Sequence, residues 1–201
     1  MQVRELGIEG AYVFTPRQHS DDRGVFLEGY RFDVVQGTIG HRFELAQANT
    51  SVSKRGVVRG IHFADVPPGQ AKYVMCASGA VLDYVIDIRV GSPTFGQWES
   101  VRLDDADRSA IYISEGLGHA FVALTEGATV TYLVSNVYSP TGEHGVTPLD
   151  PEIGLVFPDE AGPALLSPKD LEAPTLAEAL AAGLLPDYDA SRAFRASLAN
   201  R

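Results

Sequence analysis

In RGVVRGIHFADVPPGQAKY, residues 55 to 73, His62 stands three residues after Arg59 and ten before Lys72. Imidazole titrates near neutral pH, so it can take a proton from carbon when a neighbour fixes its tautomer. Cations beside it would favour the neutral, proton-accepting ring. They would also hold the negative oxygen that forms when a proton leaves carbon next to a ketone. Such enolate chemistry needs an acid on the opposite face, and Tyr132 in VTYLVSNVY is a strand tyrosine with a hydroxyl to give. Taken singly, His62 also reads as a satisfied core histidine and Tyr132 as a core aromatic.

Other chemistries have less to build on. The histidines are His19, His41, His62, His119 and His144, and no two are one residue apart, the spacing by which a strand of a small β-barrel presents metal ligands. No bound metal is expected. The single cysteine, Cys76, lies in the apolar run YVMCASGAVLDYVIDI without a basic neighbour, and reads as a small buried hydrophobe.

Strands must position these residues. Short segments rich in Val, Ile, Tyr and Phe recur between Gly, Pro, Asp and Ser: AYVFTP, GVFLEGYRF, VVRGIHF, KYVMCAS, AVLDYVIDIRV, WESVRL, SAIYIS, HAFVAL and VTYLVSNVY. This spacing predicts an all-β sandwich or closed barrel. The glycines of CASGAV and LTEGAT predict hairpin turns, and Arg59 and Lys72 are expected on adjacent strands flanking the PPGQ turn. Helical periodicity is weak until APTLAEALAAGLLPDYDASRAFRASLAN, which predicts one or two short helices broken by Gly183 and Pro186, with Thr175 and Ser191 as N-caps.

The chain has 201 residues, 45% hydrophobic and 21% charged, which fits one domain over 1–201 with a helical appendage from about 172. No internal repeat is evident. A net charge of −10 disfavours nucleic acid and anionic membranes as partners, because both need a broad positive face. No apolar run approaches the roughly 20 residues that cross a bilayer, and MQVRELGIEG carries charge where a signal peptide is apolar. A cytoplasmic protein is therefore expected.

Beyond single residues, an ordered set of motifs is present: DDRGVFLE (21 to 28), AQANTSVSKRGVVRGIHF (46 to 63), QAKYV (70 to 74), LDYVIDIRVGSPTFGQWESVRL (82 to 103), EGLGHAF (115 to 121) and LVSNVYSPTGEHG (133 to 145). Together they resemble the dTDP-4-dehydrorhamnose 3,5-epimerase family over roughly residues 10 to 175. The resemblance implies a cupin-type jelly-roll β-barrel with short C-terminal helices, a homodimer, and neither metal nor organic cofactor. It also implies a dTDP-4-keto-6-deoxyhexose substrate, inverted at C-3, C-5 or both.

Position by position, His62 is similar to the family's base, Tyr132 to its proton donor, and Asp170 of SPKD to the carboxylate that orients the base. Lys72 and Arg59 match positions near the keto oxygen. Arg23 and Glu28 of RGVFLE, Gln47 and Asn49 of QAN, and His119 of GHAF match positions that hold the nucleotide, diphosphate or sugar. Tyr138 and Glu143 of VYSPTGE and Lys169 of SPKD match further ligand contacts, with Tyr138 suited to stacking on thymine. Asp83 is expected behind a buried histidine or tyrosine. AYVFTP and RGVFLE are the segments expected to cross into a partner's sheet, covering an exposed edge. Phe63 and Ala64 after His62, together with GHAF and PPGQAKYV, resemble the antibiotic deoxysugar branch more than the rhamnose branch. Two rival activities fit the same handle: a 3,4-ketoisomerase working through an enediol, and a non-catalytic barrel that only binds nucleotide sugars.

Overall fold

The β-branched and aromatic segments form thirteen strands in the computed structural model, which describes residues 1–199. In chain order these are β1 (Gln2–Glu5), β2 (Ala11–Thr15), β3 (Gln18–Asp21), β4 (Gly24–Leu27), β5 (Gln47–Ser53), β6 (Val58–Ala64), β7 (Lys72–Ser78), β8 (Ala80–Ile86), β9 (Trp98–Asp104), β10 (Ala110–Ile113), β11 (Gly118–Ala123), β12 (Ala128–Val134) and β13 (Glu143–Gly145). The helices are α1 (Phe32–Ile39), α2 (Pro168–Leu171), α3 (Leu176–Ala181) and α4 (Tyr188–Leu198). One sheet has the order β1-β2-β10-β7-β12-β5 and the other β13-β6-β11-β8-β9, while β3 and β4 form a separate hairpin. These are two open sheets with edge strands, not a closed ring, among the described residues.

Period-two alternation decides what fills the space between the sheets. Val74 and Cys76 of β7 meet Val81 and Val85 of β8 in the inner core, whereas Tyr73 points outward to Phe14, Val35 and Phe43. Ala80, Tyr84 and Ile86 of β8 point to the opposite exterior, where Val146, Ile153 and Leu176 cover them. Each large aliphatic or aromatic side chain so buried contributes about 1.5–3 kcal/mol.

Several local expectations are corrected. Gly79 joins β7 to β8 and Gly127 precedes β12, but each connection links strands of different sheets, so neither closes a hairpin. Both glycines carry positive φ, 76° and 71°, which reverses the chain from one layer to the other. By the same token β6 and β7 are not neighbours: Arg59 and Lys72 belong to opposite sheets. AYVFTP is committed to its own sheet, since β2 pairs with both β1 and β10. Of the candidate strand GVFLEGYRF only Gly24–Leu27 is extended, as β4, and its last residue, Phe32, opens α1, which Gly40 closes in the left-handed region.

At the carboxyl end Thr175 caps α3 in a capping box with Glu178. The cap of α4 is Asp187, not Ser191, which lies inside that helix, fully buried against Gly116. Arg195 of α4 donates to Glu9 at 2.7 Å, and the Arg89 guanidinium lies 5.0 Å from the Tyr188 ring centroid. The helix is thus fastened to the β body. Residues 200 and 201 of the expected appendage lie outside the described residues. No helix among those described is long and apolar enough to cross a membrane.

Candidate active site

Where the apolar fill between the sheets gives way to polar side chains, a cavity of about 680 Å³ opens. The six-stranded sheet contributes Lys72 from β7, Tyr132 from β12, and Gln47, Asn49 and Ser51 from β5. The five-stranded sheet contributes Arg59 and His62 from β6 and His119 from β11. Ser167, Lys169 and Asp170 reach it from α2 and its cap, and Tyr138 and Glu143 from the segment after β12.

Arg59 and His62 share this cavity only because the strand between them is irregular. Regular alternation puts residues three apart on opposite faces. Here His119 pairs with His62 and Phe121 with Arg59, so between them Ala120 alone opposes Gly60 and Ile61 and the register shifts. Gly60 permits it: its φ is 108°, and a Cβ there would lie 2.4 Å from the His119 carbonyl oxygen.

The two imidazoles paired across β6 and β11 each rest on a carboxylate. His62 Nε2 lies 2.7 Å from Asp170 Oδ1, and His119 Nε2 lies 2.8 Å from Asp83 Oδ2. A carboxylate accepts, so Nε2–H is the donor and Nδ1 is left as the basic nitrogen of His62. Asp170 is itself held: Ser167 Oγ donates to its Oδ2 at 2.9 Å and accepts from its backbone N–H at 3.1 Å. Burial would raise the Asp170 carboxyl, but the hydrogen bonds from His62 and Ser167 and the nearby charges hold it below its ordinary value. Asp83 is wholly buried and pushed upward by desolvation, with His119 and Lys72 opposing.

Lys72 shows the reverse balance. Burial pushes its ammonium down to about 8, although Glu143, Asp83 and Glu115 pull it upward. The Tyr132 phenol is raised by burial and by Glu143, and therefore stays protonated through the neutral range. Glu143 accepts from Gln70 Nε2 at 3.2 Å, and the backbone N–H of Tyr138 donates to Gln47 Oε1 at 3.2 Å. Those links tie the outer segment to β5 and to the loop that leads into β7.

Two expected ligand residues are not brought into the cavity. Arg23 and Glu28 belong to the exposed β3–β4 hairpin and its exit, where Arg23 pairs with Asp21 and Glu28 with Arg31. Conversely, Ser51, Gln70 and Ser167 line the cavity without having been singled out. The Ser-Pro-Lys-Asp run carries a helix-cap signal for Ser167, and alternation in QANTSVS marks Ser51, whereas nothing local marks Gln70. Among the described residues no group of three or more His, Cys, Asp or Glu is placed to hold a metal ion.

A family model described as dTDP-4-dehydrorhamnose 3,5-epimerase matches residues 5–178. The chain is 53% identical over 199 residues to a dTDP-4-dehydrorhamnose 3,5-epimerase of Streptomyces griseus, covering 99% of this chain and 98% of that one. It is similar to the crystal structure of NovW, a 4-keto-6-deoxy sugar epimerase from the novobiocin biosynthetic gene cluster of Streptomyces spheroides, with 58% identity, a TM-score of 0.92 and 95% of each chain covered. It is similar also to ChmJ, a 3'-monoepimerase from Streptomyces bikiniensis solved as a double mutant with dTDP, at 47% identity, a TM-score of 0.94 and 98% coverage of each chain. The histidine and tyrosine replaced in that double mutant are separated by the same interval as His62 and Tyr132.

Proposed function

The chain belongs to the dTDP-4-dehydrorhamnose 3,5-epimerase family, and from that membership we propose that it inverts C-3, C-5 or both of a dTDP-4-keto-6-deoxyhexose in deoxysugar biosynthesis. One observation carries this reading: a histidine held by a carboxylate and a protonated tyrosine project into one cavity from opposite sheets.

His62, with Nε2–H given to Asp170, takes a proton on Nδ1 from the carbon next to the C-4 ketone. The C–H electron pair passes to the keto oxygen, where Lys72 and Arg59 stabilise the enolate. As the enolate collapses, its carbon takes the Tyr132 proton on the other face. Solvent then restores the phenol and removes the imidazolium proton. Configuration alone has changed, and no electrons leave the sugar, so the balance calls for no redox cofactor.

Gln47, Asn49, His119, Glu143 and Lys169 serve as contacts to the nucleotide sugar, with Asp83 fixing His119 from behind and Tyr138 at the rim to stack on the base. Arg23 and Glu28 fit this reading in a homodimer, where one chain's hairpin reaches its partner's cavity beside the free edge of β5. Phe26 of that hairpin is 68% exposed, an apolar side chain suited to such cover. The crossing of the chain between sheets at Gly79 and Gly127 suits a cupin-type jelly roll.

Incubation with dTDP-4-keto-6-deoxyglucose in deuterated buffer, read by NMR, tests the activity. Deuterium is expected at C-3, C-5 or both, with inversion and the carbonyl still at C-4. A carbonyl moved to C-3 would make the protein a ketoisomerase, and complete absence of exchange would reduce it to a binding module.

A further inference from the structure

Resting on the reading of the cavity as a nucleotide-sugar site, we propose that the Ser51 hydroxyl is a contact for the hexose and sets how strongly the sugar, as distinct from the nucleotide, is held. Ser51 lines the cavity, yet its Oγ is shielded from solvent and has no hydrogen-bond partner among the described residues, so a turn of its side chain to another staggered rotamer is what presents the hydroxyl to a ligand.

Its neighbours on the inward face of β5 are placed differently. Gln47 accepts from the Tyr138 backbone and donates to Asn49 Oδ1 at 2.6 Å, and Ser53 Oγ accepts from Arg59 Nε at 3.2 Å. On the outward face, the hydroxyls of Thr50 and Thr131 satisfy one another at 3.1 Å. Ser51 is the member of the inward row whose side chain has nothing to bond. A buried hydroxyl in that condition costs about 1–3 kcal/mol, which alanine would avoid.

Register says what the hydroxyl faces. Asn49 pairs with Tyr132 and Ser51 with Val130, so Ser51 lies one inward step, roughly 7 Å, beyond the level of the proposed acid. The next inward position, Ser53, holds Arg59. Gln47, at the other end of the row, adjoins Tyr138. The row therefore runs from the base-stacking rim to the reacting end, and Ser51 stands between Tyr132 and Arg59, where a hexose oxygen and not the nucleotide is presented. A sugar hydroxyl both donates and accepts, as this serine requires.

Ser51→Ala and Ser51→Thr test the proposal through unfolding temperature, affinity for dTDP and for dTDP-glucose, and kcat/KM for dTDP-4-keto-6-deoxyglucose. Ser51→Ala is expected to melt no lower than wild type and to bind dTDP unchanged. It should lose roughly tenfold in dTDP-glucose affinity and in kcat/KM, the worth of one hydrogen bond. Ser51→Thr, which keeps a hydroxyl, should recover part of both. Wild-type sugar affinity and kcat/KM in Ser51→Ala would overturn the proposal, as would an equal loss of dTDP affinity or a lowered melting temperature that accounts for the lost activity. Failure of the epimerase reading itself shows separately, as a wild-type chain that does not turn over the keto sugar.

Discussion

Lys72 joins cost and use in one side chain. Its burial, 8% exposed, disfavours the ammonium that the proposed enolate stabilisation requires, and three carboxylates only partly restore it. In the unliganded enzyme the charge is lost as pH rises through about 8, so kcat/KM is expected to fall above that pH. For stability the sign is opposite. An unfolded lysine titrates near 10.4, so between about 8 and 10.4 the unfolded chain holds more protons and folding gains as pH rises. Below about 8 the penalty is present in full. Lys72→Met should therefore stabilise the protein, on the order of 3 kcal/mol, while costing roughly 10²- to 10³-fold in turnover. Calorimetry beside steady-state kinetics checks both halves, and a variant that melts below wild type would contradict the assigned burial cost.

At the scale of elements, the site depends on the irregularity of β6. Gly60→Ala would place a methyl 2.4 Å from one backbone oxygen and 2.8 Å from the Ala120 Cα, at a φ that side chains resist. The backbone strain alone costs about 1–3 kcal/mol, and relief requires β6 and β11 to separate where Arg59, His62 and His119 are seated. Lower thermal stability together with lost turnover is expected, and a fully stable, fully active variant would refute this account of the shared face. Much of the strand content was legible because β-branched and aromatic residues cluster, as in KYVMCAS, which is β7 in full. β5 was not, since QANTSVS turns a polar row inward and has no apolar face to betray it. Helix α1 was hidden by its own Val, Val, Thr and Ile. Layer assignment was hidden too, because a glycine turn looks alike whether the chain folds back within a sheet or crosses to the other. The His62 and Asp170 pairing spans 108 residues, so no local pattern contains it, and only the family resemblance pointed to it.

For the whole molecule, a chain of net charge −10 gathers Arg59, Lys72 and Lys169 around one cavity, a local positive cluster suited to a compact anion. The distance of Arg23 from this group leads to a test of assembly. If the hairpin serves the partner's cavity, coexpressing His62→Ala with Arg23→Ala chains should restore activity, because each hybrid dimer keeps one cavity with both residues intact. Two inactive variants that stay inactive together would place Arg23 in its own chain's site or outside any site. The central claim is that the two sheets supply base and acid to opposite faces of one carbon, and Tyr132→Phe in deuterated buffer tests it most directly. With His62, Lys72 and Arg59 retained, label should still enter the sugar while inversion becomes slow, so the product carries deuterium in the original configuration. Inversion at the wild-type rate would contradict the claim and return Tyr132 to the role of a packed aromatic.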